Sequence, residues 1–128
     1  TDNYDYTVTD NHTNLKWVKA PGPKLGLASA KDLCKKISDI YQSEWRLPSL
    51  TQLKSLVDKS QKNPALPKPN PFDDVKSAKG DGYWTRDITW QPRYRLDYQW
   101  VVTFHDNGSS WPLPQTGVHY TWCVSARR

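Results

Sequence analysis

Glu44-Trp45-Arg46-Leu47-Pro48-Ser49, followed by Leu50, Leu53, Leu56 and Val57, is the stretch on which the fold turns. Pro48 halts the element before it, because its ring fixes φ and its nitrogen carries no hydrogen to donate. Ser49 then offers an N-cap oxygen, and Gln52 three residues on completes a capping box. The apolar residues recur at helical spacing. A helix is therefore expected from Ser49 to about Ser60, with Lys54, Lys59 and Lys62 along it and the last two near its C-terminal end, where the helix dipole favours cations.

Upstream, a second helix is expected to open at Ser29, with Asp32 as its capping partner. It would bury Ala30, Leu33, Cys34, Ile37 and Ile40 or Tyr41, leaving Lys31 and Lys35 facing away from the core and Lys36 on its rim. Before it, residues 4–18 read as a hairpin: Tyr4, Tyr6 and Val8 alternate, Asp10 to Asn14 supply a turn, and Leu15, Trp17 and Val18 return. Pro21-Gly22-Pro23 reads as a loop. Downstream, residues 61–82 form a long Pro-rich passage anchored by Leu66 and Phe72. Tyr83-Trp84-Thr85 reads as a short strand, and Tyr98 to Phe104 as a longer one carrying Trp100, Val102 and Phe104 on one face. Asp106-Asn107-Gly108 marks a hairpin returning through Ser109-Ser110-Trp111. His119 to Ser125 reads as a final strand carrying Cys123.

The chain of 128 residues fits one domain, 1–128, with two helices packed on twisted antiparallel strands, an α+β class. Hydrophobic content is only 36%, and seven Trp and seven Tyr make up for scarce aliphatic residues. No apolar run reaches the length of a membrane span, so no membrane insertion is expected. The chain has no Met and no signal-peptide pattern, and reads as a piece of something longer. A Cys34–Cys123 disulfide would close a loop of about 90 residues, worth about 4–5 kcal/mol in the chain-entropy model. Two buried free thiols are the alternative; a Pro-rich, aromatic-rich chain without Met favours the disulfide and a secreted origin. Neither cysteine has zinc-ligand spacing. Net charge is +5, which points to a polyanionic partner.

Several segments together resemble the C-terminal domain of the Legionella collagen-like (Lcl) adhesin and its wider bacterial family. They are Val8-Thr9-Asp10-Asn11-His12-Thr13-Asn14-Leu15-Lys16-Trp17, the helix with Cys34, and Trp45 through Asp58. Asn70-Pro71-Phe72, Gly82-Tyr83-Trp84-Thr85, Trp100 through Phe104 and Cys123-Val124 complete the set. The Trp45-to-helix segment is the specific part. The resemblance implies a C-type-lectin-like fold in which the helix cysteine pairs with one on the last strand. It also implies an extracellular or bacterial cell-surface location, a homotrimeric C-terminal head of a longer protein, and binding to sulfated glycosaminoglycans or other acidic polysaccharides. Sugar-chelating C-type lectins carry a Glu-Pro-Asn or Gln-Pro-Asp triplet, whereas this chain has Gln91-Pro92-Arg93, so no calcium-dependent sugar binding and no cofactor is expected.

The residues expected to bind an anionic glycan are the cations, because sulfate and carboxylate groups need converging N–H donors. Lys31, Lys35 and Lys36 stud one helix, and Lys54, Lys59 and Lys62 the other. Arg86, Arg93 and Arg95 are placed in one loop with Tyr94 and Trp90, and Arg127 and Arg128 end the chain. Trp90 and Trp111, set among polar and proline residues, are the candidate stacking surfaces. Trp45 is expected in the core and Arg46 on backbone carbonyls or an acidic partner; Trp17, Trp84, Trp100 and Trp122 are also assigned to the core. A solvated lysine face, offset by Asp32, Asp39 and Asp58, is the plain alternative for any single helix row. Asp73, Asp74, Asp81 and Asp87 could gather a calcium ion, though capping and turn roles outweigh that. His12, His105 and His119 lie in no catalytic motif, so no enzyme is expected. An extracellular location leaves no role for nucleic acid. The competing function is a pilus- or envelope-associated protein–protein interaction domain that uses its exposed aromatics.

Overall fold

The computed structural model describes residues 1–126. At Ser49 the capping box forms: Gln52 N–H donates to Ser49 Oγ at 3.0 Å, and Ser49 N–H to Gln52 Oε1 at 2.9 Å. The helix it opens, α2 (Leu50–Lys54), has only five residues. The expected run to Ser60 fails because Asp58 takes over the backbone. Its Oδ1 accepts from Ser60 N–H at 2.9 Å and Ser60 Oγ at 2.6 Å, while Asp58 N–H donates to Ala65 O at 2.7 Å. Such local side-chain bonds compete with helical ones. Lys59 and Lys62 therefore lie in turns beyond α2, not on a helix.

The other helix, α1 (Leu27–Tyr41), starts before Ser29, and its N-cap is Gly26 with no side-chain cap bond. The reason is that β3 (Gly22–Gly26) runs directly into it, so strand pairing fixes the entry in place of a capping box. The expected loop at Pro21-Gly22-Pro23 is thus the start of a strand. It is an edge strand with a register shift between Gly22 and Lys24, a setting that tolerates Pro23. Helix α1 buries Ala30 and Cys34 and half-buries Leu33, Ile37 and Tyr41, while Ile40 faces solvent.

Two sheets organise the rest. The smaller has the order β1 (Thr7–Asp10), β2 (Leu15–Val18), β8 (Val124–Ser125), and β1 and β2 form the expected hairpin. Tyr4 and Tyr6 are not part of it; both precede β1 with positive φ and are exposed. The larger sheet adds β4 (Gly82–Gln91), β5 (Leu96–Thr103), β6 (Ser109–Pro114) and β7 (Val118–Thr121), in the order β3-β7-β4-β5-β6. It is mixed, not wholly antiparallel, because β7 runs parallel to β4 at Tyr83 and Tyr120. The fold is therefore α+β with two helices, two sheets and one disulfide. At the β5–β6 turn Gly108 has φ +80°, and a Cβ there would meet Val57 Cγ1 at 2.6 Å, so glycine serves both the turn and the packing.

The larger sheet is buried on both faces along its middle. Tyr83, Val102 and Trp122 enter one core with Trp17, Leu53, Leu66 and Phe104; their neighbours Trp84, Val101 and Cys123 enter another with Ala30, Cys34, Trp45 and Leu47. Trp17, Trp84 and Trp122 are fully buried, but Trp100 is only half-buried. The last segment is not one strand. Trp122 and Cys123 carry the chain from β7 in one sheet to β8 in the other, and Cys123 is bonded to Cys34 across 89 positions.

Two outcomes follow for stability. Replacing both cysteines by alanine should lower the unfolding free energy by about 4 kcal/mol, read from the urea midpoint; an unchanged midpoint would mean the loop is already constrained without the bond. His119 packs edge-on to Trp84, with ring centroids 4.6 Å apart, and its burial, followed by the charge of Lys24, lowers its pKa below 6.5. A depressed imidazole pKa means the unfolded chain binds the proton more readily. The stability it contributes is complete above 6.5 and lost as pH falls through the lower folded value. His119→Phe should flatten the stability curve in that window, as followed by thermal unfolding at a series of pH values.

Candidate functional site

The cations of α1 meet those of the decisive stretch in a cleft of about 540 Å³ beside the disulfide. Lys31 and Lys35 are one helical turn apart and so stack on one face. They line the cleft with Glu44, Trp45, Arg46 and Arg86, over a floor that includes Cys34, Ser38 and Leu47. Each wall is fixed by backbone. Arg46 N–H donates to Val124 O at 3.0 Å and Val124 N–H returns to Arg46 O at 2.9 Å. Trp45 N–H donates to Ser38 Oγ at 2.7 Å, tying the stretch to α1. Arg86 N–H donates to Pro48 O at 2.8 Å, and its Nη1 donates to Leu47 O at 2.9 Å and Gln52 Oε1 at 3.0 Å. Asp87 Oδ2 accepts from Leu50 N–H at 2.6 Å, completing the clamp on the start of α2.

Four cations thus face one carboxylate, Glu44, which pairs with the Arg46 guanidinium. Lys31 and Lys35 are exposed and make no ion pair among the described residues. Arg86 is held by neutral acceptors, so its charge is oriented without being cancelled. An anion entering here would meet two flexible ammonium groups, the anchored guanidinium of Arg86 and the Glu44-paired guanidinium of Arg46.

The remaining expected site residues are dispersed. Arg86 does not share a loop with Arg93 and Arg95; it lies in β4, where a register shift between Trp84 and Ile88 turns it toward Leu47. Arg93, Tyr94 and Arg95 form the β4–β5 turn. There Arg93 lies over the Tyr94 ring at 5.7 Å, Tyr94 stacks on Tyr98 at 6.0 Å, and Arg95 has φ 53° with its N–H on Gln91 O at 2.8 Å. Lys36 lies outside the cleft, as does Lys62. Lys54 and Lys59 border a separate cavity of about 260 Å³ with Val57 and Gly108. Arg127 and Arg128 lie outside the described residues. Trp90 and Trp111 are exposed, at 56% and 47%, in β4 and β6.

The four aspartates do not gather. Asp73 lies 3.9 Å from Lys19, Asp74 pairs with Lys76 at 2.8 Å, and Asp81 pairs with Lys24 at 3.6 Å and accepts from Ala78 N–H; Asp87 holds Leu50. Among the described residues no three metal-ligating side chains converge. His105 Nδ1 lies 3.0 Å from Ser77 O, and His12 is exposed.

Arg46 is the cleft residue that sequence reasoning set aside as structural. Half of that reading holds, since its side chain has the acidic partner expected of it, yet the same side chain lines the cleft. Only its place beside a Pro-stopped, exposed turn could have signalled this, and nothing in the sequence joins it to Arg86.

No curated protein and no solved structure matches the chain. The family model described as the Lcl C-terminal domain matches residues 6–125, a span that takes in the hairpin, both helices, both cysteines and every residue lining the basic cleft. The chain belongs to the Lcl C-terminal domain family.

Proposed function

We propose that this domain is the head of a bacterial surface adhesin that binds sulfated glycosaminoglycans, without catalysis and without a cofactor, through the cleft of Lys31, Lys35, Arg46 and Arg86. Membership of the family suggests an adhesin-like role and a surface or extracellular location. The observation that carries the finer reading is the convergence of four cations on one cleft against a single carboxylate. Sulfate esters and uronate carboxylates are matched by guanidinium forks and mobile ammonium groups. Each exposed contact is worth little by itself. Three heads on one stalk would multiply such weak contacts, and a homotrimer is part of the proposal for that reason. Residues 1–128 are read as one C-type-lectin-like domain at the end of a longer protein. A helix cysteine bonded to one beside the last strand supports that fold assignment, and Arg93 after Gln91-Pro92 supports binding without calcium.

A protein-binding reading has one observation in its favour. The register puts Ile88 opposite Gln99, Trp90 opposite Asp97 and Trp111 opposite Val101, so three exposed apolar residues share one face of the larger sheet. The two readings separate on salt dependence. Retention on a heparin column should fall steeply between low and high salt. Lys31→Glu combined with Lys35→Glu should weaken heparin binding about ten-fold or more, with little change from Trp90→Ala. Retention that ignores salt, or that survives the double reversal, would contradict the cleft reading.

A further inference from the structure

A second groove is built quite differently from the basic cleft. It has a volume of about 700 Å³, within the range of roughly 300–1,000 Å³ usual for small-molecule sites. Cross-strand pairing explains its floor: Gly82 faces Thr103, Val101 faces Trp111, Gln99 faces Leu113 and Thr103 faces Ser109, so these side chains share one face of the sheet. His119 of β7 closes one side, and Trp111 and Leu113 of β6 close the other. The loops Lys79–Asp81 and His105–Gly108 form the ends.

Gly82 sets the depth. A Cβ at this position would lie 2.4 Å from Val101 Cγ1 and 3.2 Å from His119 Nδ1, so only glycine lets these neighbours approach the strand as they do. Trp111 stands 47% exposed at the wall, an indole face available to a ligand. The rim is polar but not cationic. Lys79 is its one lysine, Asp81 is paired with Lys24 at 3.6 Å, Asp106 lies 3.5 Å from His105, and Asn107, Ser109 and His119 add uncharged donors and acceptors. Burial keeps the His119 imidazole below its ordinary pKa, so near neutral pH it offers one donor and one acceptor.

We infer that this groove binds a neutral hexopyranose, with the C–H face of the ring on Trp111 and its hydroxyls on the polar rim. Charge decides against a polyanion, because Lys79 is the one lysine or arginine lining the groove, whereas the basic cleft brings four cations together. The polar groups decide against a purely apolar occupant, whose burial would strand Ser109, His119 and Lys79 without partners. An uncharged ring with one apolar face and a rim of hydroxyls matches both constraints. The site is separate from the basic cleft, and shares no lining residue with it.

The test is titration of the full chain with the methyl glycosides of glucose, galactose, mannose and N-acetylglucosamine, and with the uncharged apolar dye N-phenyl-1-naphthylamine, followed by amide and indole NMR shifts. At least one glycoside should shift Gly82, Val101, His119 and the Trp111 indole, equally at low and high salt. Trp111→Ala should weaken that binding about ten-fold or more, and Trp111→Phe should keep most of it. Heparin retention should be unchanged in both variants, and the dispersion of their amide spectra reports that they fold. Shifts from the dye alone, no shift with any glycoside, or glycoside binding that survives Trp111→Ala would each overturn the inference.

Discussion

The crossing at Trp122-Cys123 is the constraint on which the rest of the structure depends. Here the chain leaves the larger sheet and joins the smaller one, and two consecutive side chains pin it on opposite sides. The Trp122 indole donates to Val18 O at 2.7 Å and meets the rings of Trp17, Phe72, Tyr83 and Phe104. Cys123 is bonded to Cys34 of α1. Immediately beyond it, Val124 pairs with Arg46, so the Trp-Arg-Leu-Pro stretch hangs on the segment that the crossing fixes. The disulfide therefore does more than shorten an unfolded loop: it holds α1 against the stretch, and the basic cleft is the gap between them.

This arrangement fixes much of the proposed cleft before any ligand arrives. The Arg86 guanidinium is held by Leu47 O and Gln52 Oε1, so little ordering of it remains to be done when a ligand arrives, while the Arg46 side chain is exposed and paired with Glu44. Lys31 and Lys35 supply reach and adaptability on a rigid helix. On the proposed reading, one anchored guanidinium beside three more mobile cations would suit a polymer whose sulfates vary in spacing. The groove beside Trp111 has the opposite character, with a single lysine, paired carboxylates and an apolar floor. One small domain thus presents two chemically distinct surfaces.

Much of the fold was legible because its signals are local. The Ser49–Gln52 capping box, the turn at Asn107-Gly108 and the β1–β2 hairpin each rest on residues a few positions apart. The burial of Leu66 also followed from its setting in a Pro-rich passage. Misreadings arose where a neighbour outside the window decided the outcome. Beyond Lys54 the turns tighten, with Leu56 N–H on Leu53 O and Val57 N–H on Lys54 O, and Asp58, bonded to Ala65 and Ser60, keeps the helix from resuming. Pairing of Gly26 with Val118 set the start of α1, overriding the cap offered by Ser29. Trp100 alternates correctly with Val102 and Phe104, yet stays half-buried because that alternation is not what covers a sheet packed on both faces. At the site, the Lys31–Lys35 row was visible as a helical face. The arrival of Arg86 was not, since it depends on a β4 irregularity and on contact with residues 39 positions away.

The central claim is that one cleft, held by the Cys34–Cys123 crossing, carries the binding chemistry. Its most direct test is residue-level mapping of a heparin oligosaccharide on the isotopically labelled domain by NMR. The amides and side chains of Lys31, Lys35, Arg46 and Arg86 should shift together at the lowest ligand additions, with Lys36 and Lys62 little affected. Shifts confined to the Arg93–Arg95 turn, or to Lys54 and Lys59 beyond α2, would contradict the account.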